Sequence, residues 1–147
     1  MQQHTARVTD FDSRRLQGVI ANPHSGHPRD AGGIESLERR LDDAEVMPAG
    51  RIGPDIVTMN SQVRIRDLDK NETMVFRLVF PNSADAAAGR ISVLAPLGTA
   101  VLGRKVGEKV SWKAPGGLRS LRVEEILYQP EREGNDLGPS RPPRRPQ

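Results

Sequence analysis

Residues 62–80 read QVRIRDLDKNETMVFRLVF, and this stretch decides the fold. Val63 and Ile65 alternate with Gln62, Arg64 and Arg66, the period-two pattern of a strand with one buried face. Asp69-Lys70-Asn71-Glu72 supplies turn chemistry, and Met74, Phe76, Leu78 and Phe80 then share one face of a return strand. The pattern predicts an antiparallel β-hairpin with its apolar side turned to a core.

Downstream, residues 81–89 are polar and alanine-rich and must carry the chain to another part of the fold. Ile91, Val93 and Leu94 form a short strand. Residues 96–103, PLGTAVLG, predict one or two helical turns, with Gly103 suited to the left-handed position that ends them. Val110 and Trp112 face the core from the next strand, and Pro115-Gly116-Gly117 turns the chain into a last one over residues 118–128. Leu121 and Val123 share a face there, but Ile126 and Tyr128 have the opposite parity. A bulge near Glu124-Glu125 accounts for that phase change.

Upstream, residues 10–46 predict two short helices. Asp10 or Asp12 can cap the first, along which Phe11, Leu16, Val19 and Ile20 recur at helical spacing. Asn22-Pro23 ends it, and residues 24–33 are a loop. Ile34, Leu37, Leu41 and Ala44 form the stripe of the second helix, with Glu38, Arg39, Asp42 and Asp43 outward. Each arm has about twelve residues, so an antiparallel hairpin of them projects about 18 Å. The expected organisation is a helical hairpin over 1–46, a Pro/Gly linker over 47–54, a β-rich domain over 55–130 and a disordered tail over 131–147.

Composition narrows the function. Aromatic residues are 3% of the 147, so the core rests on Val, Ile and Leu. With no cysteine there are no disulfides, thiolate metal sites or cysteine nucleophiles. No run of about 18 apolar residues exists, and the first twenty residues lack a signal peptide's apolar centre, so no membrane contact and a cytoplasmic location are expected. The formal net charge is +3. Residues 54–130 hold eleven Lys or Arg against eight acids. That excess is too small to claim a nucleic-acid footprint, which needs charge clustered on one face, and it allows a weak contact at most.

Catalytic constellations are missing. His24, His27 and Asp30 are metal-ligating residue types, but they fall in a Gly/Pro-rich loop with no fourth ligand beyond distant His4. No Gly-x-Ser-x-Gly elbow, Walker spacing or dinucleotide fingerprint occurs. The adjacent acids Asp42-Asp43 and Glu124-Glu125 diverge rather than converge on a substrate. No enzyme, no cofactor and no metal are expected.

Several ordered motifs are more specific. They are Asp55-Ile56-Val57-Thr58-Met59-Asn60-Ser61, Arg66-Asp67-Leu68-Asp69, residues 89–98 (GRISVLAPLG), residues 100–108 (AVLGRKVGE), Trp112, Pro115-Gly116-Gly117 and Leu127-Tyr128-Gln129-Pro130-Glu131. In this series the chain resembles the C-terminal domain of the bacterial transcript-cleavage factors GreA and GreB. VTMNS and LYQPE resemble the Rnk branch, the regulators of nucleoside diphosphate kinase. The resemblance implies an α+β chain in which the helical hairpin precedes an FKBP-like domain, a bent antiparallel sheet around a short helix. It further implies RNA polymerase core as partner, at the rim of the secondary channel, through Arg90, Ile91, Ser92, Pro96, Leu97 and Gly98.

In Gre factors two acids at the tip of a long hairpin help hold a catalytic magnesium. Here the tip offers Asp30 beside Arg29 and His27, and one carboxylate is a poor magnesium ligand set. The expectation is therefore a monomeric polymerase-binding regulator of elongation without transcript cleavage. The alternative is a regulator of nucleoside diphosphate kinase, acting directly or through its expression. The FKBP-like fold alone also suggests a peptidyl-prolyl isomerase, but Phe76, Phe80, Trp112 and Tyr128 are too few to line a prolyl pocket.

Overall fold

The computed structural model describes residues 6–21, 31–114 and 116–133, with residues 31, 32 and 133 described by backbone alone. Its sheet grows from the hairpin. Strands β3 (Gln62–Asp67) and β4 (Glu72–Val79) pair antiparallel, with Val63 opposite Phe76 and Ile65 opposite Met74. Val63, Phe76 and Leu78 are buried, as the alternation predicts. Met74 is 45% exposed, because it sits at the turn end of β4, before the burial pattern reaches the core. The Asp67 carboxylate accepts the N–H groups of Asp69 and Lys70 at 2.9 and 3.1 Å, and Asn71 takes the left-handed conformation that asparagine tolerates.

β7 (Gly117–Tyr128) pairs antiparallel with the other side of β3. Its register shifts twice: Ile65 faces Val123, Arg64 faces Glu125, Val63 faces Ile126 and Gln62 faces Tyr128. The bulge predicted near Glu124-Glu125 is there, and a second lies at Leu127. The first keeps Ile126 on the core face with Leu121 and Val123, and the second turns Tyr128 to the other face, opposite Gln62. β6 (Lys109–Ala114) pairs with β7 at one edge, and β5 (Arg90–Ser92) lies beside β4 at the other, giving the order β5-β4-β3-β7-β6. The expected α+β class holds, but the sheet is mixed. The crossover over residues 80–89 returns the chain so that β5 runs parallel to β4. α3 (Pro96–Val101) closes the core with Leu97, Ala100 and Val101, and Gly103 follows at φ 78° as expected.

The amino-terminal helices do not stand away from this domain. α1 (Asp10–Ala21) and α2 (Ala31–Asp42) send Leu16 and Leu37, both fully buried, into the cluster that holds Val57, Met59, Leu94 and Leu102. The cap of α1 differs from the expectation. The Thr9 hydroxyl accepts the Asp12 N–H at 2.9 Å, while the buried Asp12 carboxylate accepts the Met59 N–H at 3.0 Å and pairs with Arg15 at 2.7 Å. Two strands that the sequence reading lacks, β1 (Arg7–Thr9) and β2 (Glu45–Met47), pair in parallel around the helices. Three-residue strands with remote partners leave no local periodicity to read. The segment read as a linker contains a 3-10 turn at Ala49–Arg51.

At the other end, order continues past residue 130. α4 (Pro130–Glu133) is one turn, whose Glu131 accepts the Thr58 hydroxyl at 2.6 Å. Buried Gln129 donates to the carbonyls of Gly53 and Ile56, both at 2.8 Å. The tail expected to begin at residue 131 therefore begins no earlier than 134, and from there it lies outside the described residues.

Candidate docking surface

The six residues singled out for docking occupy β5 and the first turn of α3, but they are not equally accessible. Arg90 is exposed and held in place: its Nε donates to the Ser83 carbonyl at 2.9 Å, and its other end lies 3.6 Å from Asp85. Paired backbone bonds between Asp85 and Arg90, at 2.9 and 3.0 Å, fix the same corner. Ile91 is half-buried against the core and Pro96 is exposed. Ser92, Leu97 and Gly98 are buried. The Ser92 hydroxyl accepts the Leu94 N–H at 2.9 Å, and a Cβ on Gly98 would lie 2.1 Å from the Ser92 carbonyl oxygen. The accessible part of this candidate surface is thus Arg90, Ile91 and Pro96, and the other three shape the backbone beneath it.

α2 leans on the same backbone. A Cβ on Gly33 would come within 2.0 Å of the Leu94 carbonyl oxygen, so only glycine lets the helix pass so close. The sequence reading assigned Gly33 to a loop, because glycine marks loops far more often than close approaches. The hairpin-tip candidates His27, Arg29 and Asp30, with His24, lie outside the described residues.

Beside this corner, a cleft of about 650 Å³ separates α2 from α3 and β6, with Arg39, Arg40, Asp43, Thr99, Trp112 and Lys113 among its walls. Burial lowers the Arg40 guanidinium to about 10, helped by Arg104 nearby. Both arginines donate to the Ala100 carbonyl at the end of α3, at 3.4 and 3.3 Å. Both remain charged at neutral pH. Among the described residues no group of three His, Asp or Glu side chains could hold a metal ion.

Comparison with known proteins agrees with this architecture. Residues 52–128 match the family described as transcription elongation factor, GreA/GreB, C-term. The regulator of nucleoside diphosphate kinase of Escherichia coli (strain K12) is 35% identical over 139 residues, 93% of this chain and 99% of that protein. Transcription elongation factor GreA of Thermotoga neapolitana is 43% identical over 93 residues, 63% of this chain and 59% of that one. Among solved structures, the prokaryotic transcription elongation factor GreA/GreB from Nitrosomonas europaea aligns with a TM-score of 0.67 at 34% identity, covering 86% of this chain and 100% of that one.

Proposed function

Because this chain belongs to the GreA/GreB C-terminal family of transcription elongation factors, we propose that it regulates elongation by docking on RNA polymerase beside the secondary channel, without promoting transcript cleavage. The observation that carries this reading is the family match over residues 52–128. The short helices set its limit. α1 and α2 have 12 residues each, about 18 Å, and their apolar sides are committed to the shared core. Between them the sequence offers one carboxylate, Asp30, where the resemblance requires two. A protein that occupies the docking site without that reach competes with channel-binding factors that have it. In this reading the protein acts in the cytoplasm, as a monomer and without a cofactor.

The test is retention of polymerase core on the immobilised full chain. Wild type retains core, and Arg90→Glu combined with Pro96→Lys loses it, since both residues are exposed. Retention by the double variant refutes this docking surface, and no retention by wild type refutes the partner. Stalled elongation complexes should yield no shortened transcripts when this protein is added. Shortened transcripts refute the non-cleaving role.

The regulator of nucleoside diphosphate kinase that matches over 93% of the chain supports a second reading, control of that kinase. Kinase transcript and kinase protein measured in a deletion strain separate an effect on expression from a direct one. A change in activity at constant protein level favours direct binding.

A further inference from the structure

The sheet has two faces, and the register gathers charge on the one turned away from the core. Arg77, Arg64, Arg66, Arg122, Lys109 and Lys113 lie on that outer face, against only Glu124 and Glu125. Both acids are already engaged: Glu125 with Arg64, and Glu124 with Arg66 at 2.5 Å. Arg77 lies over the Tyr128 ring, 4.9 Å from its centroid. Arg122, Lys109 and Lys113 are left, and among the described residues no carboxylate pairs with them.

Their placement is ordered. Arg66 on β3 is directly opposite Arg122 on β7, which is directly opposite Lys109 on β6. Three cations therefore stand abreast on adjacent strands about 4.8 Å apart, a row about 10 Å wide. Like charges in opposed positions repel, and an anion laid across the row relieves that repulsion. In the next row Ser111 faces Ser120, with Lys113 beyond. Cations and hydroxyls are the groups that contact phosphates and position a protein on a nucleic-acid backbone. No aromatic side chain stands in these rows to stack on bases or to anchor a protein interface.

We propose that the outer face of the sheet binds the phosphodiester backbone of a nucleic acid, without sequence preference, through Arg122 and Lys109, with Arg66 alongside them held by Glu124. The row lies toward the β6 edge, across the sheet from β5 and Arg90. It can be occupied while the other edge is docked, and it does not depend on that docking.

The experiment measures fluorescence anisotropy of a labelled 20-base-pair duplex DNA and a labelled 20-nucleotide RNA between 50 and 200 mM KCl. The proteins are the full chain and its Lys109→Gln/Arg122→Gln variant, both substitutions being at exposed positions. Losing two phosphate contacts makes the slope of log K against log salt shallower by about 1.8 on duplex, or about 1.4 on single strand. Over that fourfold salt range the wild type should lose about 12-fold more affinity than the variant on duplex, or about 7-fold more on single strand. Binding to either probe with that difference supports the proposal, and the probe that the wild type binds more tightly at 50 mM KCl identifies the source of the backbone. The terminal arginines are the same in both proteins and do not contribute to the difference. Equal slopes, absent binding at 50 mM, or equal competition by polyglutamate of matched charge would each overturn it.

Discussion

Asp12 is the sharpest test of whether α1 and the sheet form one body. It is 1% exposed, accepts the Met59 N–H across 47 residues of sequence and pairs with Arg15. Arg15 in turn stacks on Phe11 and Phe80, 4.2 and 4.7 Å from their centroids. Asp12→Ala strands the buried Met59 N–H, which costs about 1–3 kcal/mol. It also leaves Arg15 without its carboxylate. That guanidinium side chain is 29% exposed, so water screens part of the 3–5 kcal/mol that breaking a fully buried pair costs, leaving about 1 kcal/mol. The total, about 2–4 kcal/mol, is a large share of the 5–15 kcal/mol that holds a typical domain folded. Asp12→Asn keeps an acceptor for Met59 and should cost about half as much. Asp10→Ala is the control, because its exposed partner Arg14 is 3.8 Å away, and such pairs contribute below about 0.5 kcal/mol. Urea titrations followed by circular dichroism and by Trp112 fluorescence read the helices and β6 separately. Coincident transitions at a lowered midpoint are expected for Asp12→Ala. A shift no larger than that of Asp10→Ala, or helical signal lost while Trp112 fluorescence stays native, would refute the reasoning.

Gly98→Ala places a Cβ 2.1 Å from the Ser92 carbonyl oxygen and should cost about 1–3 kcal/mol of stability, read as a lower urea midpoint. Gly50→Ala, with nothing within 4 Å of its Cβ position, should change it little. Partial burial pushes the Asp67 carboxyl up, but the Lys70 N–H, the Arg119 guanidinium and the Asp69 N–H outweigh it and hold it below its ordinary value of 3.8. The group's stabilising effect is then present above pH 3.8 and lost as pH falls through the lower folded value. Acid titration of stability should consequently fall more steeply below pH 3.8 in wild type than in Asp67→Asn. Arg122→Glu turns the opposed like-charge pair with Lys109 into an attractive one, and should raise stability by about 0.2–1 kcal/mol in thermal melts at low salt.

What the sequence reveals and what it hides divide along contact distance. The β3–β4 hairpin, the phase change at Glu124-Glu125 and the left-handed Gly103 are written in neighbouring residues, and each is legible there. Asp12 looks like a cap because a helix start explains an aspartate locally, whereas its partner Met59 belongs to another part of the chain. Gly33 looks like a loop residue for the same reason. Arg66, Arg122 and Lys109 are scattered through a mildly basic domain, and only the register of three strands shows that they stand in one row. Among the residues proposed for docking, the motif match cannot separate exposed Arg90 and Pro96 from buried Leu97 and Gly98. That distinction depends on which way the chain turns after β5.

The bulged pairing of β3 with β7 also constrains how the chain is made. β3 and β4 can meet within microseconds of synthesis, since a short turn joins them. The other side of β3 waits for partners such as Glu125, 61 residues beyond Arg64. At about 5–20 residues per second, roughly 3–10 s pass between completion of β4 and arrival of β7. During that interval a central strand is an open edge, able to pair with any extended segment nearby. Arg64 and Arg66 find their glutamates only when β7 arrives, and until then they put two unneutralised charges on that edge. Side chains that read as ion pairs in the finished sheet thus serve beforehand as guards against the wrong neighbour.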